Sequence, residues 1–144
     1  ILMIAPPLAF YDVTGIRLLG TNGWNSPELA ALDPGYVEGA VFTEAFFAES
    51  PSAHVAQFVE QYRAACGREP GDVEALAYDS AAMMAAIMRE GNVKTRSAMR
   101  DALGGLAGFR GVTGETSFAG SREARKTPYI LTIREGRIVQ LYPE

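Results

Sequence analysis

The chain has 144 residues, 48% of them apolar, enough for one ordinary domain with a real core. Charged residues make up 21% and the net charge is −4, with acids and bases interspersed, so no basic stripe exists to neutralise a run of phosphates and nucleic acid is not an expected partner. One cysteine, Cys66, excludes an internal disulfide and a multi-cysteine metal site, and the longest apolar stretch, Ile1 to Phe10, is half a membrane span interrupted by Pro6 and Pro7.

The chain begins at Ile1 without a basic leader or cleavage site, so a signal peptide or lipid anchor is expected upstream if the protein has one. Apolar residues at Ile4, Leu8 and Tyr11 have helical spacing, with the proline pair confined to the first turn. Ile16 to Leu19 reads as a short buried parallel strand, and Gly20 to Asn25 as a polar turn. Ser26 then caps a short helix from Pro27 to Leu32, and Gly39 to Thr43 is a second strand.

The middle of the chain is helical. Ser50 and Pro51 are expected to open a helix with Val55, Phe58, Val59 and Tyr62 on one face, closed by Gly67. Asp72 is expected to cap the next helix, Val73 to Glu90, whose alanines and methionines lie on nearly every face and predict heavy burial, with Gly91 as its stop. Thr95 caps a third helix with Met99 and Leu103 inward, ended by Gly104-Gly105. The pattern then turns strand-like: Val112 to Phe118, followed by Tyr129 to Ile133 and Ile138 to Leu141 as a hairpin turning at Gly136. The order, α/β first, helices in the middle and β at the end, indicates a mixed α/β fold.

Enzyme chemistry finds no constellation here. No Gly-x-x-x-x-Gly-Lys-Ser/Thr phosphate loop is present, and Gly15, Gly20 and Gly23 lack the spacing of a dinucleotide turn. The lone histidine, His54, falls opposite Val55 and Phe58 and reads as a solvated residue, while Cys66 reads as a small packed or half-exposed thiol. The expectation is a protein that is not an enzyme, with no catalytic residues, no metal and no cofactor.

The turn Gly20-Thr21-Asn22-Gly23-Trp24 is a better candidate for function. It follows a strand directly, where open α/β sheets bind ligands. Thr21 and Asn22 offer donors and acceptors, and Trp24 a flat apolar wall. The plainer alternative is an ordinary strand-to-helix turn with Asn22 left-handed and Trp24 packed on the surface.

Three segments, in order, resemble the second half of the leucine/isoleucine/valine-binding protein family, a group of type I periplasmic solute-binding proteins. They are Leu18-Leu19-Gly20-Thr21-Asn22-Gly23-Trp24 followed by Tyr36 to Phe42; Phe58-Val59-Glu60-Gln61-Tyr62 with Gly67-Arg68-Glu69-Pro70 and Ala77-Tyr78-Asp79-Ser80; and Phe109-Arg110-Gly111-Val112-Thr113-Gly114 running to Phe118. The resemblance implies a parent of two Rossmann-like lobes that closes around a small solute, this chain covering roughly the second half. Residues 1–38 would end the second lobe, 39–107 would form a crossover strand and first-lobe helices, and 108–144 the final crossover and the second lobe's terminal strands. The helices from Pro51 to Leu103 would then await a sheet from outside this chain, so a partial copy of a longer receptor or an intertwined homo-oligomer is expected.

By the same resemblance the protein is the periplasmic or extracellular solute-binding component of an ABC-type transporter, taking amino acids or similar small polar solutes and meeting a membrane permease. Ligand contacts would come from Thr21, Asn22, Trp24 and Tyr78. In the branched-chain receptors a carboxylate in the turn meets the ligand's ammonium group, and the matching position here is Asn22, which brings no charge. The stretch Leu8 to Val13 also resembles a lipoprotein branch of the fold, the penicillin-binding protein activators, whose members would instead regulate a cell-wall synthase.

Overall fold

Pro6 and Pro7 set the first helix, because a helix's opening turn has no use for the N–H groups that proline lacks. The computed structural model describes residues 1–30, 34–90 and 93–143. Helix α1 is Ala5–Phe10, with the prolines in its first turn. Strand β1 (Leu19–Gly20), a 3₁₀ turn (Asn22–Trp24), α2 (Pro27–Ala30), α3 (Pro34–Val37) and β2 (Val41–Glu44) follow. Next come α4 (Ala53–Cys66), α5 (Asp72–Arg89) and α6 (Arg96–Gly105). The chain ends with β3 (Phe109–Gly111), β4 (Gly114–Ser117), β5 (Arg125–Lys126), β6 (Tyr129–Arg134) and β7 (Arg137–Tyr142).

The contacts divide the chain into two units, 1–44 with 129–144, and 45–128. The first unit holds a sheet of order β1-β2-β6-β7. β1 runs parallel to β2, while the β2–β6 and β6–β7 pairs are antiparallel. Its core is Val37, Phe42, Leu131 and Ile133 with Leu29 and Tyr129. The β6–β7 hairpin turns through Glu135 and Gly136, at φ of 52° and 70°, the left-handed pair that a two-residue hairpin loop demands. Glu38 fastens this turn by accepting the Glu135 N–H at 2.9 Å.

Unit two packs Phe46, Val55, Phe58, Val59, Ala75 and Val112 into one cluster, beside a small antiparallel sheet of order β3-β4-β5. Gly67 closes α4 in the left-handed conformation, φ 70°, where a side chain would be strained. Thr95 caps α6 by accepting the Ala98 N–H at 3.1 Å, and Met99 and Leu103 are half-buried.

Several expectations need correction. Ile16 to Leu19 is not a buried strand. Only Leu19–Gly20 pairs, and Ile16 and Leu19 are 52% and 72% exposed, because β1 is the sheet's edge and is covered on one side only. The predicted helix to Leu32 is α2 as far as Ala30, residues 31–33 lie outside the described residues, and the short α3 was not foreseen. Helix α4 begins after Ser52, and the Ser50 hydroxyl accepts the Ser52 N–H ahead of it instead of capping the first turn.

Helix α5 is capped at Gly71, not Asp72, since the Glu74 carboxylate reaches back to the Gly71 N–H at 2.9 Å. Within its unit α5 buries a single stripe, Ala75, Asp79, Met83 and Ile87, while Val73 and Met88 are 76% and 55% exposed. The stripe runs at steps of four, the repeat of one helix face. The Gly91 stop lies outside the described residues. Finally, Val112 to Phe118 is not one strand but the far side of a hairpin, with Val112-Thr113 as the loop between β3 and β4.

Candidate functional site

The parallel pairing of β1 with β2 ends at Gly20, and the chain turns there into the 3₁₀ segment. The Trp24 N–H donates to the Thr21 carbonyl at 3.0 Å, closing the turn on itself. Asn22 takes a helical conformation here, not a left-handed one. Trp24 is half-buried, its ring 6.3 Å from that of Phe42 on the adjacent strand. A Cβ on Gly20 would overlap the indole, so Gly20 is the residue that lets Trp24 lie down on the sheet.

This packing leaves Thr21 and Asn22 exposed, and their side chains form no hydrogen bond among the described residues. The Ser26 hydroxyl accepts the Leu29 N–H at 3.3 Å, as an N-cap does. The Glu28 carboxyl is held below the usual carboxylate range by backbone hydrogen bonding at Glu28 and by the Ser26 hydroxyl. The turn thus presents the Thr21 hydroxyl, the Asn22 and Asn25 amides and part of the Trp24 indole, all uncharged.

Tyr78, the fourth sequence-predicted contact, belongs to the other unit, on α5. Its ring lies 4.6 Å from that of Phe58, tilted by 42°, and it is 38% exposed. That geometry is a packing contact with a free polar edge.

A polar network not anticipated from the sequence lies next to Tyr78. Asp79, 1% exposed, accepts the Val112 N–H at 2.8 Å on Oδ1 and the Thr113 N–H at 2.8 Å on Oδ2. The Thr113 hydroxyl also donates to Oδ2 and in turn accepts from Lys126 Nζ, which further donates to Thr116 Oγ1 at 2.9 Å. Burial pushes the Lys126 ammonium below its ordinary pKa, and the attraction of Asp79 opposes that shift. A carboxylate and an ammonium joined through a threonine hydroxyl form a satisfied, charge-balanced unit. The sequence signal for it was the pair of motifs that carry Asp79 and Thr113, whose mutual contact spacing alone does not reveal.

The family model for periplasmic binding proteins matches residues 8–137. The chain belongs to that family.

Among solved structures, a Rhodospirillum rubrum protein described as a branched-chain amino acid ABC transporter superposes with a TM-score of 0.84 at 31% identity, over 95% of this chain and 41% of its own. The substrate-binding protein LivJ of Streptococcus pneumoniae, solved with isoleucine, gives 0.60 at 27% identity over 96% of this chain and 42% of its own. The leucine-binding protein LivK of Thermotoga maritima gives 0.63 at 22% identity, over 96% and 40%, a likeness of fold. The chain therefore spans about two fifths of the length of these relatives. No curated protein sequence matches it.

In this member of the family, His54 and Cys66 stand exposed near opposite ends of α4. Twelve residues of helix separate them by about 18 Å, too far for a base to activate a thiol.

Proposed function

We propose that this chain is part of the solute-binding component of an ABC-type transporter, acting in the periplasm or outside the cell on amino acids or similar small polar solutes. The match to periplasmic binding proteins along residues 8–137 carries the reading. On this reading the protein is a receptor and not an enzyme. The solute is buried where polar groups replace its water, and a membrane permease recognises the loaded form.

Thr21, Asn22 and Trp24 are assigned to the solute, supported by their position beyond the carboxyl end of a parallel strand and by the unused polar groups of Thr21 and Asn22. The sequence-predicted contact from Tyr78 is not carried into this assignment, since its ring packs on Phe58 within the other unit. Residues 1–38 and 108–144 are assigned to the parent's second lobe, and 39–107 to a crossover strand and first-lobe helices. The contact division agrees in separating 1–38 and 129–144 from 45–107, but groups 39–44 with the first unit and 108–128 with the second.

A thermal shift of the full-length protein against amino acids, small organic acids and sugars tests the reading. A saturable rise of several degrees for one class is expected, since a ligand at a hundred times its Kd adds about 2.7 kcal/mol to the folded state. No rise with any class would refute it.

A further inference from the structure

The chain passes between its two units twice, after Glu44 and again before Tyr129. Both passages start from one register pair, because Glu44 of β2 and Tyr129 of β6 stand opposite each other. On that side the hold is firm, with four residues of β2 paired to four of β6. On the side of unit two it is slight. β5 is only Arg125–Lys126, opposite Ser117 and Thr116 of β4, and beyond it the Thr127 N–H donates to the Glu115 carbonyl at 3.0 Å. Pro128, at the passage itself, has no N–H to add. A strand this short contributes little hold of its own.

Side chains supply the rest. Lys126 Nζ donates to the Thr116 hydroxyl at 2.9 Å and to the Thr113 hydroxyl. Thr113 is fixed in turn by Asp79 of α5, which accepts both its N–H and its hydroxyl proton. Asp79, Thr113 and Thr116 are buried, so water competes poorly for these bonds. The last residue of β5 is therefore tied, through one threonine, to a helix whose Ala75 belongs to the core of unit two.

We infer that Asp79, Thr113 and Lys126 are positioning residues for solute capture. They fix the point and direction at which the chain leaves unit two, and so set how long a bound solute is retained. A passage that frays adds conformations that do not bind, and the apparent affinity falls with the fraction that does. The inference rests on the receptor reading of a chain in two units.

The test uses the full-length protein and the tightest-binding member of a panel of amino acids, small organic acids and sugars. Association and dissociation rates are measured by stopped flow, well below the unfolding temperature of every variant. Lys126→Met and Thr113→Val are each expected to speed dissociation about tenfold, the size of one charge-assisted hydrogen bond, with association unchanged. Amide exchange at Thr127 is expected to quicken in step. Thr113→Ser, which keeps the hydroxyl, is expected to restore slow dissociation. Ile87→Val, a core change on α5 away from the passage, is expected to lower the unfolding temperature and leave dissociation as it was. Dissociation unchanged in Lys126→Met would reduce the network to a structural role and overturn the inference, while the receptor reading stands. An equal rise in Ile87→Val would trace the effect to general destabilisation and overturn it as well. Should Thr113→Val fail to fold, the half-buried Lys126 still decides the matter through Lys126→Met. If no member of the panel binds the wild type, the receptor reading fails and takes the inference with it.

Discussion

Asp79 on α5 holds Thr113, thirty-four residues later, by two hydrogen bonds to one carboxylate oxygen, one from the backbone N–H and one from the hydroxyl. With the Val112 N–H on the other oxygen, the carboxylate accepts both backbone N–H groups of the Val112-Thr113 loop. The left-handed residue of this hairpin is Gly114, φ 89°, directly after Val112-Thr113, and the helix side chain adds its hydrogen bonds to the loop.

Removing that carboxylate is therefore expected to be costly. Asp79→Ala leaves two buried N–H groups unpartnered and Lys126 without its counter-charge, so a loss of roughly 3 kcal/mol is expected by urea unfolding of the full-length protein. Thr113→Val, which keeps the shape and loses only the hydroxyl, is expected to cost about half as much. A loss below about 0.5 kcal/mol for Asp79→Ala would show that the loop holds itself.

The two glycines flanking the loop are each constrained by a close approach, Gly111 by this carboxylate and Gly114 by a backbone carbonyl. A Cβ at Gly111 would overlap the Asp79 carboxylate, and one at Gly114, whose φ is 89°, would overlap the Thr127 carbonyl. Both Gly→Ala changes are expected to cost more than the roughly 1 kcal/mol that a left-handed conformation alone explains. Gly67→Ala, left-handed but in open space, provides that baseline. Equal losses at the three positions would disprove the close approach.

Local chemistry made the legible parts of the fold legible. Gly67, Ser26, Thr95 and the Glu135-Gly136 turn act within a few residues of themselves, so their roles are written beside them. The Val112 to Phe118 segment was misread because its loop is made by Asp79, far away in sequence. Helix α5 was misread because alanine and methionine do not mark a face, and the buried stripe is chosen by what it packs on. Thr21, Asn22 and Trp24 could be grouped from sequence since they are neighbours, whereas the rest of Trp24's role, its seat on Gly20, needed coordinates.

Glu74 gives the protein an acid-dependent element. Its pKa falls from 4.5 to about 2, first through the Arg68 hydrogen bond at 2.6 Å and then through the Gly71 N–H. The folded value lies below the unfolded one, so the contribution is complete above pH 4.5 and is lost as pH falls through about 2. Urea unfolding across that window is expected to show the wild type's advantage over Glu74→Gln shrinking steadily toward acid. An advantage that does not change with pH would mean that the carboxylate's charge contributes nothing.

The face of α5 can be tested by position. Ala75 is 0% exposed and touches the cluster of Phe58 and Val112, so Ala75→Asp is expected to cost roughly 3 kcal/mol by burying an unpaired charge. Ala82, one step off the buried stripe and only half-buried, is expected to tolerate the same change better. The reverse order, measured by thermal unfolding, would turn the helix to another face.

The last expectation concerns the isolated chain. Met3, Phe10 and Tyr11 are 89%, 80% and 75% exposed in one unit, and Val73 and Met88 are 76% and 55% exposed in the other. In the first unit β1 is also an edge strand, and its own Leu19 is 72% exposed. Scattered apolar residues are ordinary on a surface, but a short open sheet edge that carries an exposed leucine is a route to association. The 144-residue chain on its own is therefore expected to self-associate at micromolar concentration, seen by light scattering as a mass that rises with concentration. Phe10→Lys with Leu19→Lys is expected to reduce that rise, whereas Val73→Lys with Met88→Lys separates the contribution of α5. A monomer of constant mass that unfolds cooperatively would show that these faces are stable in water and that the chain is a complete domain.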